Sequence, residues 1–426
     1  MYKCFILMEN VVLFTVLACI FGFCMTWGVG ANDLANVLGT SMGSRSLTVK
    51  QAIIVAIIFE FAGAYLASGN VANTLRNGII DLNLLSSEPQ LFIYGMLAVL
   101  LAGFSWMLTA SYFGLPVSIT HTIVGAIVGF GAITISFHAV HWDTVGTIAL
   151  SWIISPLLAG ACAFLVFTSI QKIIFAKSHP AKSAMHAIPC YGLLFALIFG
   201  SLLVEHILQH FGKHSLRLQF GVTLAFAIII YIALARFTRS FIKKRKLEGA
   251  ARRHEFQLLE HMFKPLTMLT ACAMVFAHGS NDVANAVGPM AAVVDTALSG
   301  SLSPTSNMPP WILGLGCAGV IVGFLMYGRR VIQTVGSNIT QLTPSRAFAA
   351  IFSAAMTSSI ATTTGIPVSV TQILVGAVFG VGFARGLTAL NLNVIRNIFM
   401  SWVITLPAGA TFAVIYFYIF RALAGC

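Results

Sequence analysis

Charge is what this sequence has least of: Asp, Glu, Lys and Arg together make up 8% of its 426 residues, against 58% hydrophobic residues. A water-soluble chain of this length could not cover so much apolar surface, and the mean hydropathy of +0.91 excludes a soluble enzyme or a disordered chain. Alternation of apolar and polar residues is also missing from the apolar runs, which excludes a membrane β-barrel. The eight cysteines (Cys4, Cys19, Cys24, Cys162, Cys190, Cys272, Cys317 and Cys426) have no C-x-x-C or Cys/His ligand spacing and read as small core residues. H-E-x-x-H is absent, as is any clustered His/Asp set, so neither an enzyme nor a cofactor is expected. The net charge of +12 sits in short loops between apolar runs, a pattern of membrane topology rather than of nucleic-acid binding.

What is present is a series of apolar stretches from Val11 to Tyr418, each near the roughly 20 residues that cross a bilayer. The expected fold is an all-α integral membrane protein with about twelve transmembrane or re-entrant helices. Lys3 followed by Val11 to Gly28 has the look of a secretion signal, but it runs straight into a motif that recurs later, so it is read as a mature helix. The most basic stretch, Arg236 to Lys264, is placed in the cytoplasm by the excess of Lys and Arg in cytoplasmic loops. Counting spans outward puts Arg45, Lys50, Lys172, Lys177, Lys182, Arg329, Arg330, Arg385 and Arg396 on that side and both termini outside.

The two halves repeat at an offset of roughly 250 residues. Gly30-Ala31-Asn32-Asp33-Leu34-Ala35-Asn36 answers Gly279-Ser280-Asn281-Asp282-Val283-Ala284-Asn285. Pro116-Val117-Ser118-Ile119-Thr120 answers Pro367-Val368-Ser369-Val370-Thr371, and Ser151-Trp152 answers Ser401-Trp402. Three blocks in register indicate duplication, with a first repeat over residues 1–171, a linking region over 172–263 and a second repeat over 264–426. An odd number of spans separates the copies, so the repeats are expected to be inverted, an arrangement typical of secondary transporters with a site at the repeat interface.

Asp33 and Asp282, with Asn32, Asn36, Asn281 and Asn285, are costly at the ends of apolar helices, where a central Asp costs on the order of 2.5–3.5 kcal/mol. A lone Asn would pass as a hydrogen-bond glue between helices, but a duplicated G-x-N-D-x-x-N points to a cavity or a ligand. The hydroxyls of Ser118, Thr120 and Thr122, and of Ser369 and Thr371, follow Gly and Pro positions that break a helix. Such breaks free backbone N–H groups that attract a tetrahedral oxyanion, although a single membrane hydroxyl more often bonds its own i−4 carbonyl. These blocks hold no Lys or Arg, so an anion would need companion cations, Na⁺ or protons, to offset the carboxylates. Glu60, in the apolar run Ile53 to Ala67, is a further coupling-ion candidate, while His121 and His278 read as helix-end packing residues.

At these motifs the sequence resembles the inorganic phosphate transporter (PiT) family over nearly its whole length apart from the basic linker. The resemblance implies an inverted-repeat symporter of the plasma membrane, a homodimer, that imports phosphate with sodium; proton coupling, a metal-phosphate substrate or another oxyanion such as sulfate remain the alternatives. It implies phosphate binding by Asn32, Asp33, Ser118, Thr120, Asn281, Asp282, Ser369 and Thr371. Cation binding is implied for Asp33, Asn36, Glu60, Asp282, Asn285, Thr120 and Thr371. Glu60 matches an acidic residue of the family's second span, and Arg76 to Asp81 resembles the stretch after it. Two positions depart from the family pattern: Gln372 stands where a His often follows the second Thr, and Ala349-Ala350-Ile351 where a Glu is common.

Overall fold

The computed structural model describes residues 11–424 except 116, 213–214, 246–251, 303–307, 329–341 and 387–391. Pro116, Arg329 and Arg330, named above for a helix break and a cytoplasmic loop, lie outside the described residues. Regular structure among the described residues is helical, save one isolated antiparallel bridge between Ile80 and Val140. In chain order the helices are α1 (Val11–Val29), α2 (Ala35–Gly43), α3 (Val49–Ala67), α4 (Gly69–Asn77), α5 (Pro89–Phe113), α6 (Ile119–Gly129) and α7 (Trp142–Ile170). They continue as α8 (Pro180–His210), α9 (Leu216–Arg245), α10 (Arg252–Ser299), α11 (Pro310–Tyr327), α12 (Pro344–Thr363), α13 (Val370–Arg385) and α14 (Leu392–Leu423). A π-helical turn, Gly30–Leu34, joins α1 to α2.

Local chemistry sets several ends. Proline opens α5, α8, α11 and α12, where its missing N–H would have had no helical partner anyway. Thr48 and Gln51 form a reciprocal capping box at the start of α3, with the Gln51 N–H donating to Thr48 Oγ1 at 3.3 Å and the Thr48 N–H to Gln51 Oε1 at 3.0 Å. Eight described helical segments are long and apolar enough to cross a membrane: α1 with α2, then α3, α5, α7, α8, α9, α11 and α14. α6 and α13 are shorter, and α6, at 11 residues, extends only about 17 Å, roughly half of a hydrocarbon core. α10 is the outlier at 48 residues, about 72 Å, so one end must project well past a bilayer. It passes without interruption through residue 264, the expected start of the second repeat.

The halves are interlocked. α1 packs against α11 and α10 against α3; α6 packs against α14 and α13 against α7. Each crossing brings backbone to backbone at a glycine. A β-carbon on Gly30 would lie 1.8 Å from the Val320 carbonyl oxygen, and one on Gly279 would lie 2.3 Å from that of Glu60. Gly125 and Gly376 meet the carbonyls of Leu406 and Pro156 in the same way, both at 2.4 Å. Lipid offers no hydrophobic drive to press apolar helices together, so close van der Waals approach at small residues is what holds such crossings. Outside this core, α8 and α9 form an outer pair, and α9 buries little more than Thr223, Ala227, Leu234 and Thr238.

Candidate functional site

Two helix hairpins build the site. α5 ends at Gly114, in the left-handed conformation with φ 66°, and the chain returns through an extended stretch to Ser118 and α6. α12 ends likewise, with Gly365 at φ 71°, before Ser369 and α13. Glycine is required at both turns because a β-carbon clashes at positive φ. The N-termini of two short helices are thereby delivered to the interior, where Thr120, Thr122 and Thr371 are almost completely buried.

The first motif reads this geometry out through hydrogen bonds. Asn32 Nδ2 donates to the Leu115 carbonyl at 2.8 Å, and its Oδ1 accepts the Val117 N–H at 3.2 Å, which pins the extended entry to α6. Asp33, 1% exposed, accepts the Ile119 N–H of that helix at 3.2 Å on Oδ2 and the Thr371 hydroxyl of the opposite hairpin at 3.0 Å on Oδ1. One carboxylate therefore ties both short helices together. The second motif is continuous α-helix within α10 rather than a helix end, and the first is interrupted by its π-turn. Asn281 Nδ2 donates to the Val368 carbonyl at 2.6 Å, and Asn285 Nδ2 donates to Thr120 Oγ1 at 3.1 Å, while the Thr120 hydroxyl donates to Val368 O at 2.9 Å. Residues from both halves thus alternate around one centre.

Asp282 is served differently from Asp33. His278, one turn before it, lies with Nε2 3.3 Å from Asp282 Oδ2 and Nδ1 2.7 Å from Glu60 Oε1, all three side chains being 0–1% exposed. His278, expected as a helix-end packing residue, stands instead in mid-helix between two carboxylates. The i, i+4 spacing of His278 and Asp282 was visible in the sequence, whereas Glu60, 218 residues away, was not. At the matching crossing, where Gly30 meets α11, Val320 takes the place of Glu60 and Val29 precedes the glycine as His278 precedes Gly279.

Ser118 and Ser369 act as N-caps: each Oγ accepts the N–H three residues on, of His121 and Gln372 respectively, both at 3.3 Å. Thr122 bonds the Ser118 carbonyl one turn back at 2.9 Å, the ordinary role of a membrane hydroxyl. Several buried oxygens of the two motifs and of Glu60 have no protein partner: Oδ1 of Asn36, Asn281 and Asn285, and Oε2 of Glu60. A buried polar atom left unpaired costs free energy, so a cluster of orphan oxygens beside two carboxylates is suited to hard cations, which take oxygen ligands. Behind the site, His121 Nε2 meets Gln372 Oε1 at 3.2 Å, joining the two hairpins, and the imidazole packs tilted against Trp152 at 3.8 Å between ring centres. That pair fronts an apolar cavity of about 900 Å³ bounded by Trp152, Pro156, Trp402 and Pro407.

Comparison with known proteins places this geometry. The family model described as "Phosphate transporter family" matches residues 29–413, a span that includes both motifs and both hairpins. The chain is 46% identical over 405 residues to a putative phosphate permease of Haemophilus influenzae, covering 95% of this chain and 96% of that protein. It is 37% identical over 422 residues to the chloroplastic inorganic phosphate transporter 2-1 of Arabidopsis thaliana, covering 95% of this chain and 72% of that protein. A solved structure titled as the sodium-dependent phosphate transporter superposes with a TM-score of 0.88 at 37% identity, covering 96% of this chain and 99% of that one. With two helix hairpins converging on paired Asn-Asp motifs in a chain that matches from end to end, this protein belongs to the phosphate transporter family.

Proposed function

We propose that the protein imports inorganic phosphate by symport with sodium through alternating access, with the site at the interface of two inverted repeats. The observation that carries this reading is Asp33, held at once by the α6 N-terminus and by Thr371 of the other hairpin. Phosphate takes N–H groups and hydroxyls of the two hairpins, Ser118, Thr120, Ser369 and Thr371 among them, with the amides of Asn32 and Asn281 alongside, in exchange for the partners these groups now hold. Without cations Asp33 and Asp282 repel it: two unit charges 4 Å apart cost about 4 kcal/mol at an effective dielectric of about 20. Cations on Asp33, Asp282 and the orphan oxygens of Asn36, Glu60 and Asn285, with Thr120 and Thr371 beside them, convert repulsion into attraction and make the two cargoes move together.

The reciprocal packing of α1 on α11 and α10 on α3 supports inverted repeats over 1–171 and 264–426, because exchanging the two crossings would open the site to the other side. The plasma membrane as location, outside termini, a cytoplasmic basic linker over 172–263 and a homodimeric assembly belong to the same proposal. Radiolabelled phosphate uptake into proteoliposomes tests it, under an imposed sodium gradient and separately under a proton gradient. Sodium-driven uptake that is lost in Asp33→Asn and Asp282→Asn is the expected result; uptake indifferent to sodium and to both substitutions overturns the proposal. One observation favours a proton-coupled second reading: the imidazole of buried His278 lies between two carboxylates, 2.7 Å from Glu60 and 3.3 Å from Asp282, three titratable groups side by side. Uptake driven by the proton gradient alone, and abolished in His278→Ala, would select that version.

A further inference from the structure

Away from the transport site, α7 and α8 diverge to leave a cleft of about 580 Å³ whose chemistry changes steadily along its length. One wall is the end of α7, its terminal π-turn, Gln171–Phe175, and the residues just after it, which contribute Ser169, then Ile173, then Lys177 at intervals of four residues. The other wall is one face of α8, running from Ser183 and His186 through Ala187 and Cys190 to Leu194. Both walls are basic and polar at the same end, where the two helices are joined, and apolar deeper in. From Ser183 to Leu194 the face extends about 16 Å, the depth of one leaflet's acyl chains in a core of about 30 Å.

The deep end is closed by a hydrogen bond of 2.6 Å between the Ser169 and Tyr191 hydroxyls, which ties the two walls together there. Ile173 and Leu194 are 47% and 45% exposed on helices of membrane-spanning character, so the slot opens sideways to hydrocarbon. The charge of the open end is of one sign. No Asp or Glu occurs in residues 144–204, a stretch that also brings Lys172 and Lys182. The carboxylate that does reach the start of α8, Glu255, accepts the Ala181 N–H at 3.2 Å and does not line the cleft.

We propose that this cleft binds an anionic phospholipid, with the phosphate headgroup on Lys177, Ser183 and His186 and an acyl chain laid along Ile173, Ala187 and Leu194. Basic residues between membrane helices at the cytoplasmic face recognise such headgroups. The apolar length of the slot distinguishes this site from one for free phosphate, which would use only its mouth.

The test uses the purified full chain in detergent, titrated with phosphatidylglycerol or phosphatidylcholine and followed by native mass spectrometry and thermal unfolding. Phosphatidylglycerol is expected to stay bound and to raise the unfolding temperature, and phosphatidylcholine is not. Lys177→Ala/His186→Ala should weaken the phosphatidylglycerol effect by at least about fivefold, as loss of the Lys177 charge near a headgroup predicts, with the hydrogen bond of His186 lost besides. Lys243→Ala/Lys244→Ala, which removes as many basic residues from the end of α9, should leave it intact. Ala187→Trp fills the slot without touching charge and should also abolish lipid retention, a reading that does not depend on the stability of the charge variant. Equal effects of the two lipids, equal losses in the two double variants, unchanged retention in Ala187→Trp, or displacement of the lipid by inorganic phosphate would each overturn the proposal.

Discussion

Substituting Gly279 by alanine puts the crossing of α10 over α3 under direct strain. The added carbon would lie 2.3 Å from the Glu60 carbonyl oxygen and 3.0 Å from the Glu60 carbonyl carbon and α-carbon, with no flexible side chain able to move aside. Carbon atoms in contact rest about 3.5–4.0 Å apart, so the helices must separate by roughly 1 Å. The displacement falls on Glu60, whose side chain reaches back to His278, the residue immediately before the glycine, over 2.7 Å. Overpacking of this kind costs about 1–3 kcal/mol, and weakening a hydrogen bond to a charged group adds about 1.5–3 kcal/mol, giving about 2.5–6 kcal/mol in all. Thermal unfolding of the purified variant, read beside phosphate uptake in proteoliposomes, measures both consequences. Gly146→Ala in α7 is the control, because nothing lies within 4 Å of its new carbon and the helix gains up to about 1 kcal/mol. A Gly279→Ala protein that unfolds at the native temperature and transports normally would show that the crossing does not set the site.

Thr371→Val removes the hydroxyl that Asp33 Oδ1 accepts at 3.0 Å, a loss of about 1.5–3 kcal/mol; uptake should fall steeply and Thr371→Ser should restore most of it. Ser118→Ala deletes a helix cap and should lower stability by about 1 kcal/mol in thermal unfolding, whereas Ser118→Asn, which caps as well, should not. Arg76→Met leaves Asp295 without the guanidinium now 2.8 Å away; with Arg76 4% and Asp295 15% exposed, the cost should be about 3 kcal/mol in the same assay, the lower end of the range for a buried pair.

The sequence made the helical character and the buried polar motifs legible for clear physical reasons. Duplicated Asn-Asp motifs stand out because charge is so rare in the surrounding runs, and the Gly and Pro positions before Ser118 and Ser369 mark breaks that the left-handed Gly114 and Gly365 bear out. Partners were not legible. A membrane helix is apolar around most of its circumference, so its sequence does not say which face meets which neighbour, and the pairing of Glu60 with His278 depends on Gly279 fixing that face. Length alone decides less. About twelve transmembrane or re-entrant helices were expected; eight described segments satisfy length and apolarity, α6 and α13 are shorter apolar helices, and α10 and α12 dilute their apolar residues with Asn, Ser and Thr. Ser118 and Ser369 illustrate a further limit: a hydroxyl that can greet a ligand and one that caps a helix look identical until the backbone around it is known.

The glycine crossings also bear on how such a chain is made. α1 emerges from the ribosome well before its partner α11, which starts at Pro310, so the groove around Gly30 stays vacant until the helices between them have been translated. Neither half can reach its final packing alone. Expressed separately, residues 1–171 and 264–426 should be unstable and rapidly degraded, and expressed together they should rescue each other, as two fragments of one interdigitated body.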